Sequence, residues 1–231
     1  MPGTAIFDMD RTLTKSGTWS RYMFQVNAGR PAFYLRLPLL AVHAIAYKLG
    51  FFSRRSVKEH GLKTLTWASE EALKRAAEAF AEEGVRSGLR RNVEAVLRAH
   101  RAAGDRLVMA TAAAELVAKP IGEKLGMDLV ICTDLEWTPE RRLSGKIAGE
   151  NCYGAEKLNR LKQVDAGQPF ARPVTGYSDH VSDAPFLSWA DRGVAVNPSS
   201  GLERIAAESG FAIEDWDRPP NNEQESKTGA R

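Results

Sequence analysis

The hydrophobic pattern of this chain changes period twice. It opens with a short apolar run, residues 4–7, that reads as a buried strand. Residues 15 to about 87 carry no strand pattern. Their periodicity predicts helices over 18–27, 31–48, 53–64 and 69–85, with Gly29-Arg30-Pro31 and Gly50 as breaks and Ser69 as an N-cap before Glu70 and Glu71. From residue 92 onward, strands and helices alternate. We expect a helix over 92–103 ending at Gly104, then a strand at 106–111, a helix at 112–125 and a strand at 128–133. A hairpin at 135–147 follows, then a helix at 155–165, a strand at 173–178 and a helix at 182–190. A strand at 193–196, a helix at 201–209 and a short strand at 211–214 complete the pattern. The alternation predicts an α/β fold, a doubly wound parallel sheet with an all-helical insertion after its first strand. The expected division is a core of 1–14 and 88–216, a helical insertion of 15–87, and a disordered polar tail of 217–231 containing Pro219-Pro220.

The 231 residues suffice for one large domain or a core with an insertion, and 43% hydrophobic with 26% charged residues is ordinary for a soluble globular chain. The two cysteines, Cys132 and Cys152, read as buried thiols in a reducing compartment rather than as a disulfide framework. The start of the sequence enters the first strand with no basic-then-apolar leader, so no secretory signal is expected. His43, His60, His100 and His180 lack ligand spacing, which argues against zinc.

Charge changes the picture of the insertion. Residues 14–66 hold nine basic side chains against one acid, Glu59, in a chain whose overall net charge is +3. The same segment holds Trp19, Tyr22, Phe24, Phe33, Tyr34, Tyr47, Phe51 and Phe52. Its bases are interleaved with a continuous apolar stretch, not arranged as a solvated stripe, so a nucleic-acid partner is not expected.

Candidate chemistry falls at the predicted strand ends. Asp8 and Asp10 follow the first strand, and alternation would point both the same way if the strand persisted that far. Two carboxylates so close suggest either a cation between them or a nucleophile beside a general acid/base. Asp-x-Asp is also ordinary turn and helix-capping chemistry. Thr111 ends the second core strand, Lys157 starts a helix after Tyr153-Gly154, and Asp179 and Asp183 follow the fourth. Singly, these read as an N-cap, a solvated lysine, a turn residue and a first-turn acid. Asp134 is also a strand-end carboxylate and is read as structural.

The ordered set Asp-x-Asp-x-Thr, Thr, Lys, Asp-x-x-x-Asp resembles the haloacid dehalogenase superfamily, and within it the phosphoserine-phosphatase-like subgroup (subfamily IB). Ser144-Gly-Lys and Tyr153-Gly-Ala-Glu-Lys fit that subgroup, and the resemblance spans about residues 4–214. It implies a Rossmann-like core with an inserted C1-type helical cap, and a phosphomonoester hydrolase working through an aspartyl-phosphate. By resemblance, Asp8 is the nucleophile and Asp10 the acid/base. Mg²⁺ is held by Asp8, the Asp10 backbone carbonyl and Asp179, with Asp183 acting through water. Thr111 and the Ala112 backbone bind phosphoryl oxygens, and Lys157 neutralises charge. Three departures stand out: Arg11 where many members carry Gly or Ser, Thr-Ala-Ala-Ala in place of Ser-Ala-Ser-Pro, and Ser182 in place of a frequent Asn. Asp10 argues against the dehalogenase branch.

The cap is expected to choose the substrate, with Arg54 and Arg55 as candidate anion contacts, although an arginine pair at a helix start is also common solvated surface. The eleven residues between Arg36 and Lys48 are too few to span a bilayer. A cap helix buried among its neighbours is the favoured reading of this stretch. The protein is expected to be cytoplasmic; the alternative reading of this stretch is an interfacial surface meeting anionic lipid, which would make it peripheral to the inner membrane face. Scarcity of cap acids disfavours the ammonium of phosphoserine. The expected substrate is a small or amphiphilic organic phosphate; phosphoserine, histidinol phosphate and phosphatidylglycerophosphate are the specific alternatives. The competing class is a non-catalytic membrane-surface binding module. No protein partner is indicated.

Overall fold

The computed structural model describes residues 1–219. Strand β1 (Thr4–Phe7) runs into a wide turn at Met9–Leu13, followed by helices α1 (Trp19–Val26), α2 (Pro31–Tyr34), α3 (Leu37–Lys48), α4 (Arg54–Leu62), α5 (Glu70–Ser87) and α6 (Val93–Ala103). Then come β2 (Arg106–Ala114), α7 (Glu115–Lys124), β3 (Leu129–Thr133), and a hairpin of β4 (Leu135–Trp137) and β5 (Leu143–Ile147). The chain continues through α8 (Ala155–Gly167), β6 (Val174–Ser178), a short turn at Val181–Asp183, α9 (Ala184–Trp189), β7 (Arg192–Val196), α10 (Ser200–Ser209) and β8 (Ala212–Glu214).

Six strands form one parallel sheet in the order β3-β2-β1-β6-β7-β8. The fold is therefore α/β, with a doubly wound parallel sheet and helices inserted after the first strand. Residues of β1 and β2 alternate between two cores. Ala5, Phe7, Leu107 and Met109 face one, with α6 and α7; Ile6, Val108 and Ala110 face the other, with α8, α9 and α10. Burial on both faces explains why these strands read as unbroken apolar runs. At Gly176 of β6 an added Cβ would stand 2.7 Å from the Phe186 ring, so a glycine there lets α9 lie close on the sheet. The chain moves outward from β1 in opposite directions, which opens a crevice at the strands' carboxyl ends between β1 and β6.

Several boundaries differ from expectation. The helix expected over 112–125 begins only at Glu115, because β2 continues through Ala114, which pairs with Thr133 beyond an irregularity in register. Sheet pairing here overrides the helix preference of the alanines. The helix expected over 31–48 is two helices. The chain breaks at Leu35-Arg36, and Pro38 sits in the first turn of α3, where its missing N–H costs nothing. β1 stops at Phe7, so the wide turn, rather than strand alternation, places Asp10. The first residues of the expected tail, 217–219, are described and are held by the core. Buried Trp216 anchors the chain end, Asp217 pairs with Arg90, and the Arg218 carbonyl accepts from Asn92 Nδ2 at 3.0 Å. Residues 220–231 of that expected tail lie outside the described residues.

The largest correction concerns α3. The buried cap helix favoured by the sequence is not what forms, since no residue of α3 is buried. The helix packs chiefly on α4, which covers one side and leaves the opposite side bare. Elsewhere the insertion is tied to the core, with α5 lying on α7 and α4 on β5.

Candidate active site

The crevice between β1 and β6 collects the candidate chemistry. Parallel register sets Phe7 level with Met109 and Tyr177, and the Asp8 N–H donates to Tyr177 O at 2.9 Å. Asp8 thus leaves the end of β1, Asp179 follows the end of β6, and Thr111 lies in β2 on the other flank. Gly154 enters α8 at φ 59° and ψ −124°, a conformation open to glycine, and so aims the first turn carrying Lys157 at Asp8. Lys157 is only 2% exposed; its Nζ donates to Asp8 Oδ1 at 2.8 Å and to Asp183 Oδ2 at 2.6 Å. Ser178 Oγ donates to the same Asp183 oxygen at 2.7 Å.

The site cavity holds about 340 Å³ and takes in Asp8, Asp10, Thr111, Ala112, Lys157, Asp179 and Asp183, together with Arg11, Gly17, Arg54, Tyr153, His180 and Ser182. Two larger clefts, about 810 and 610 Å³, lie by the β8 edge without this gathering of carboxylates and lysine. Chemistry rather than size therefore marks the site. Arg54 of the predicted pair stacks over the Tyr153 ring at 3.8 Å at the cavity wall. Arg55 does not reach the cavity: it pairs with Glu59 one helical turn on and donates to Gly149 O at 2.8 Å.

Burial dominates the electrostatics. It pushes the Asp8 carboxyl up to about 7, against the opposing pull of Lys157. Burial also raises Asp10 and Asp179 above the usual carboxylate range. Burial alone would lower Lys157, but Asp183 and Asp8 outweigh it and hold the ammonium charged. The Asp10 Oδ1 accepts from Thr18 N at 2.9 Å, which fixes its side chain. Thr111 Oγ1 accepts from Ala113 N at 3.1 Å, leaving the hydroxyl proton to donate elsewhere.

The residues fit a hard divalent cation. Thr12 Oγ1 stands 3.2 Å from Asp8 Oδ2 and 3.3 Å from Asp179 Oδ1, but one hydroxyl proton can serve only one of them. Asp183 Oδ1 is buried with no hydrogen-bond partner. Asp8, Asp179 and Asp183 together answer to one buried ammonium, so the centre is short of positive charge and rich in the oxygen ligands that Mg²⁺ prefers. Among the described residues, no ready-made cluster of three or more His, Cys, Asp or Glu ligands occurs, so a cation here would also draw on backbone oxygen and water.

Sequence reasoning missed Lys58. Its ammonium reaches from α4 into the core, donating to the Ala112 carbonyl, to Thr133 Oγ1 at 3.2 Å and to Asn151 Oδ1. Burial pulls its pKa down to about 8. His180 was also missed; its Nδ1 accepts from Ser182 N at 3.1 Å and shapes the turn before Asp183. No local signal distinguishes either residue. Arg11, one of the departures, sits at φ 66°, a left-handed position where glycine is free of strain. Cys132 and Cys152 are buried free thiols.

The chain belongs to the haloacid dehalogenase-like hydrolase family, whose model matches residues 5–188. It is 32% identical over 192 residues to protein CicA of Caulobacter vibrioides, covering 82% of this chain and 84% of the relative. It is 25% identical over 228 residues to a histidinol-phosphatase of Neisseria meningitidis, covering 92% and 98%. A solved Bordetella pertussis protein of unknown function shares 31% identity at a TM-score of 0.82, covering 94% and 99%. A substrate-bound phosphoserine phosphatase has the same fold at 14% identity and a TM-score of 0.66, covering 98% of both chains.

Proposed function

We propose that this hydrolase is a Mg²⁺-dependent phosphatase that cleaves phosphate monoesters through an aspartyl-phosphate on Asp8. The observation that carries this reading is the buried Lys157 held between Asp8 and Asp183 in a cavity that also takes in Asp10 and Thr111. An Asp8 carboxylate oxygen bonds to phosphorus as the ester P–O bond breaks. Asp10, whose raised pKa helps it carry a proton, delivers that proton to the leaving oxygen. Asp10 then takes a proton from water, the water oxygen bonds to phosphorus, and the Asp8–phosphorus bond breaks to release phosphate. The Thr111 hydroxyl and the Ala112 backbone N–H bind the phosphoryl oxygens, and Lys157 offsets charge beside Asp8. Asp8, the Asp10 carbonyl, Asp179 and Asp183 are the groups that would hold Mg²⁺, which would supply positive charge against the negative charge that develops.

The substrate we infer is a small or amphiphilic organic phosphate. Arg11 and Arg54 line the cavity, and its only carboxylates are the four aspartates of the reaction centre. Among the described residues the insertion therefore offers the cavity no acid to hold an ammonium group, which disfavours phosphoserine. Histidinol phosphate, suggested by the Neisseria relative, is the polar alternative. Phosphatidylglycerophosphate is the amphiphilic one, favoured by the bare apolar side of α3. No helix of the described residues is long and apolar enough to cross a membrane. A cytoplasmic site of action matches the two free thiols.

The test is phosphate release from these three compounds and an aryl phosphate, with and without Mg²⁺. We expect Mg²⁺-dependent release, abolished in Asp8→Asn and lowered by roughly 10²–10⁴ in Asp10→Asn. No release from any ester by folded, metal-loaded protein would return the protein to the non-catalytic binding reading.

A further inference from the structure

We propose that the bare side of α3 docks this protein on an anionic lipid surface, a claim that goes beyond the phosphatase reading and does not rest on it. The exposed stripe consists of Leu39, Val42 and Ile45 of α3, continued by Leu35 before it and Leu49 and Phe51 after it. Spacings of three residues put Leu39, Val42 and Ile45 on one face of the helix, and Leu35, Leu49 and Phe51 extend the exposed apolar surface past its ends. Leu35 is 81% and Phe51 77% exposed, values that mark protruding side chains. The opposite side, with Leu37, Leu40, His43 and Tyr47 half-buried, faces α4. An apolar ridge this continuous on a surface calls for an occupant.

Charge selects the occupant. Arg36 and Lys48 stand at the two ends of α3, and Arg54 and Lys63 stand on and just after the supporting α4. Arg30, Arg36 and Lys63 also line a small notch of about 140 Å³ beside Trp67. The single acid of the region, Glu59, is already paired with Arg55. A second copy of this chain would bring the same basic rim against itself, a like-charge contact that a two-fold interface penalises. A bilayer with anionic headgroups meets both features: the apolar ridge enters the acyl boundary while the bases stay at headgroup level. A protruding ridge also suits a deformable lipid surface better than a protein partner, which would need a matching groove.

Docking would bring the active-site mouth near the surface. Arg54 lies 5.6 Å from the Tyr47 ring of α3 and 3.8 Å from the Tyr153 ring at the cavity, so one side chain spans the two sites.

The test is co-sedimentation of the full chain with phosphatidylglycerol/phosphatidylcholine vesicles and with pure phosphatidylcholine vesicles, run beside hydrolysis of an aryl phosphate. We expect binding to the anionic vesicles alone, weakened by added salt. Val42→Glu/Ile45→Glu is expected to cut the bound fraction at least about tenfold while leaving aryl phosphate hydrolysis unchanged. Arg36→Glu/Lys48→Glu is expected to do the same through charge alone. Wild type that stays in the supernatant, or glutamate variants that bind as well as wild type, would overturn the proposal. So would light scattering that finds a dimer split by Val42→Glu/Ile45→Glu, because the ridge would then be covered by a second copy. Loss of hydrolysis in wild type with vesicle binding intact would count against the phosphatase reading only.

Discussion

Lys157 is the residue on which the centre balances. Its ammonium is buried between two carboxylates, so removing it leaves Asp8 and Asp183 with no compensating charge. Breaking a buried ion pair from one side costs roughly 3–5 kcal/mol. Lys157→Met should therefore lower stability by about 3 kcal/mol in urea unfolding at pH 8 without divalent metal, and phosphate release should fall with it. A near-neutral effect on stability would mean that Lys157 is solvated and that the centre is assembled differently. Arg11 is a smaller case of the same logic. It carries a side chain at a left-handed φ, a local cost that the turn bears while Arg90 Nε donates to its carbonyl at 2.7 Å.

Among elements, α4 links the insertion to the reaction centre. Lys58 carries that link, since the Ala112 carbonyl it holds belongs to the β2 segment next to Thr111. Its folded pKa of about 8 lies below the ordinary lysine value, so folding disfavours the charged form. That handicap is present in full below about pH 8 and fades as pH rises toward about 10.4. Wild type should thus gain stability between pH 8 and 10 relative to Lys58→Met, read as a diverging urea midpoint. Parallel midpoints across that range would show that Lys58 titrates as an exposed lysine. α3 is the opposite kind of element: apolar on both sides, it has a neighbour among the described residues for only one of them.

For the whole molecule, metal and pH act on one balance. Burial pushes the Asp8 carboxyl up to about 7 from an unfolded value of about 3.9, so folding favours the protonated form: relative to the ionised state that preference is present in full below about pH 4 and is lost as pH rises through 7, where the charge must be buried. Under the proposed mechanism a cation needs the ionised Asp8, so Mg²⁺ binding would compete with its protonation. Added Mg²⁺ should therefore raise the melting temperature more at pH 8 than at pH 5.5, in melts of the same protein. An equal gain at both pH values would place the cation away from Asp8.

Sequence alone determined the order of strands and helices, the helical insertion and the positions of Asp8, Asp10, Thr111, Lys157, Asp179 and Asp183. All but Thr111, which lies within β2, sit at or beside element ends, and ligands meet a parallel sheet at its carboxyl ends, so local pattern carries their meeting. Element ends themselves were less legible: the alanines after Thr111 look helical until β3 pairs with them. Tertiary structure alone decided which arginine faces the cavity, that Lys58 crosses to the core, and that α3 is bare. Arg54 and Arg55 differ by one residue, about 100° around a helix, and a sequence cannot say which direction is inward. An all-round apolar helix is equally suited to a core and to a surface seeking a partner. Only the count of neighbours around it, which the whole fold sets, separates the two.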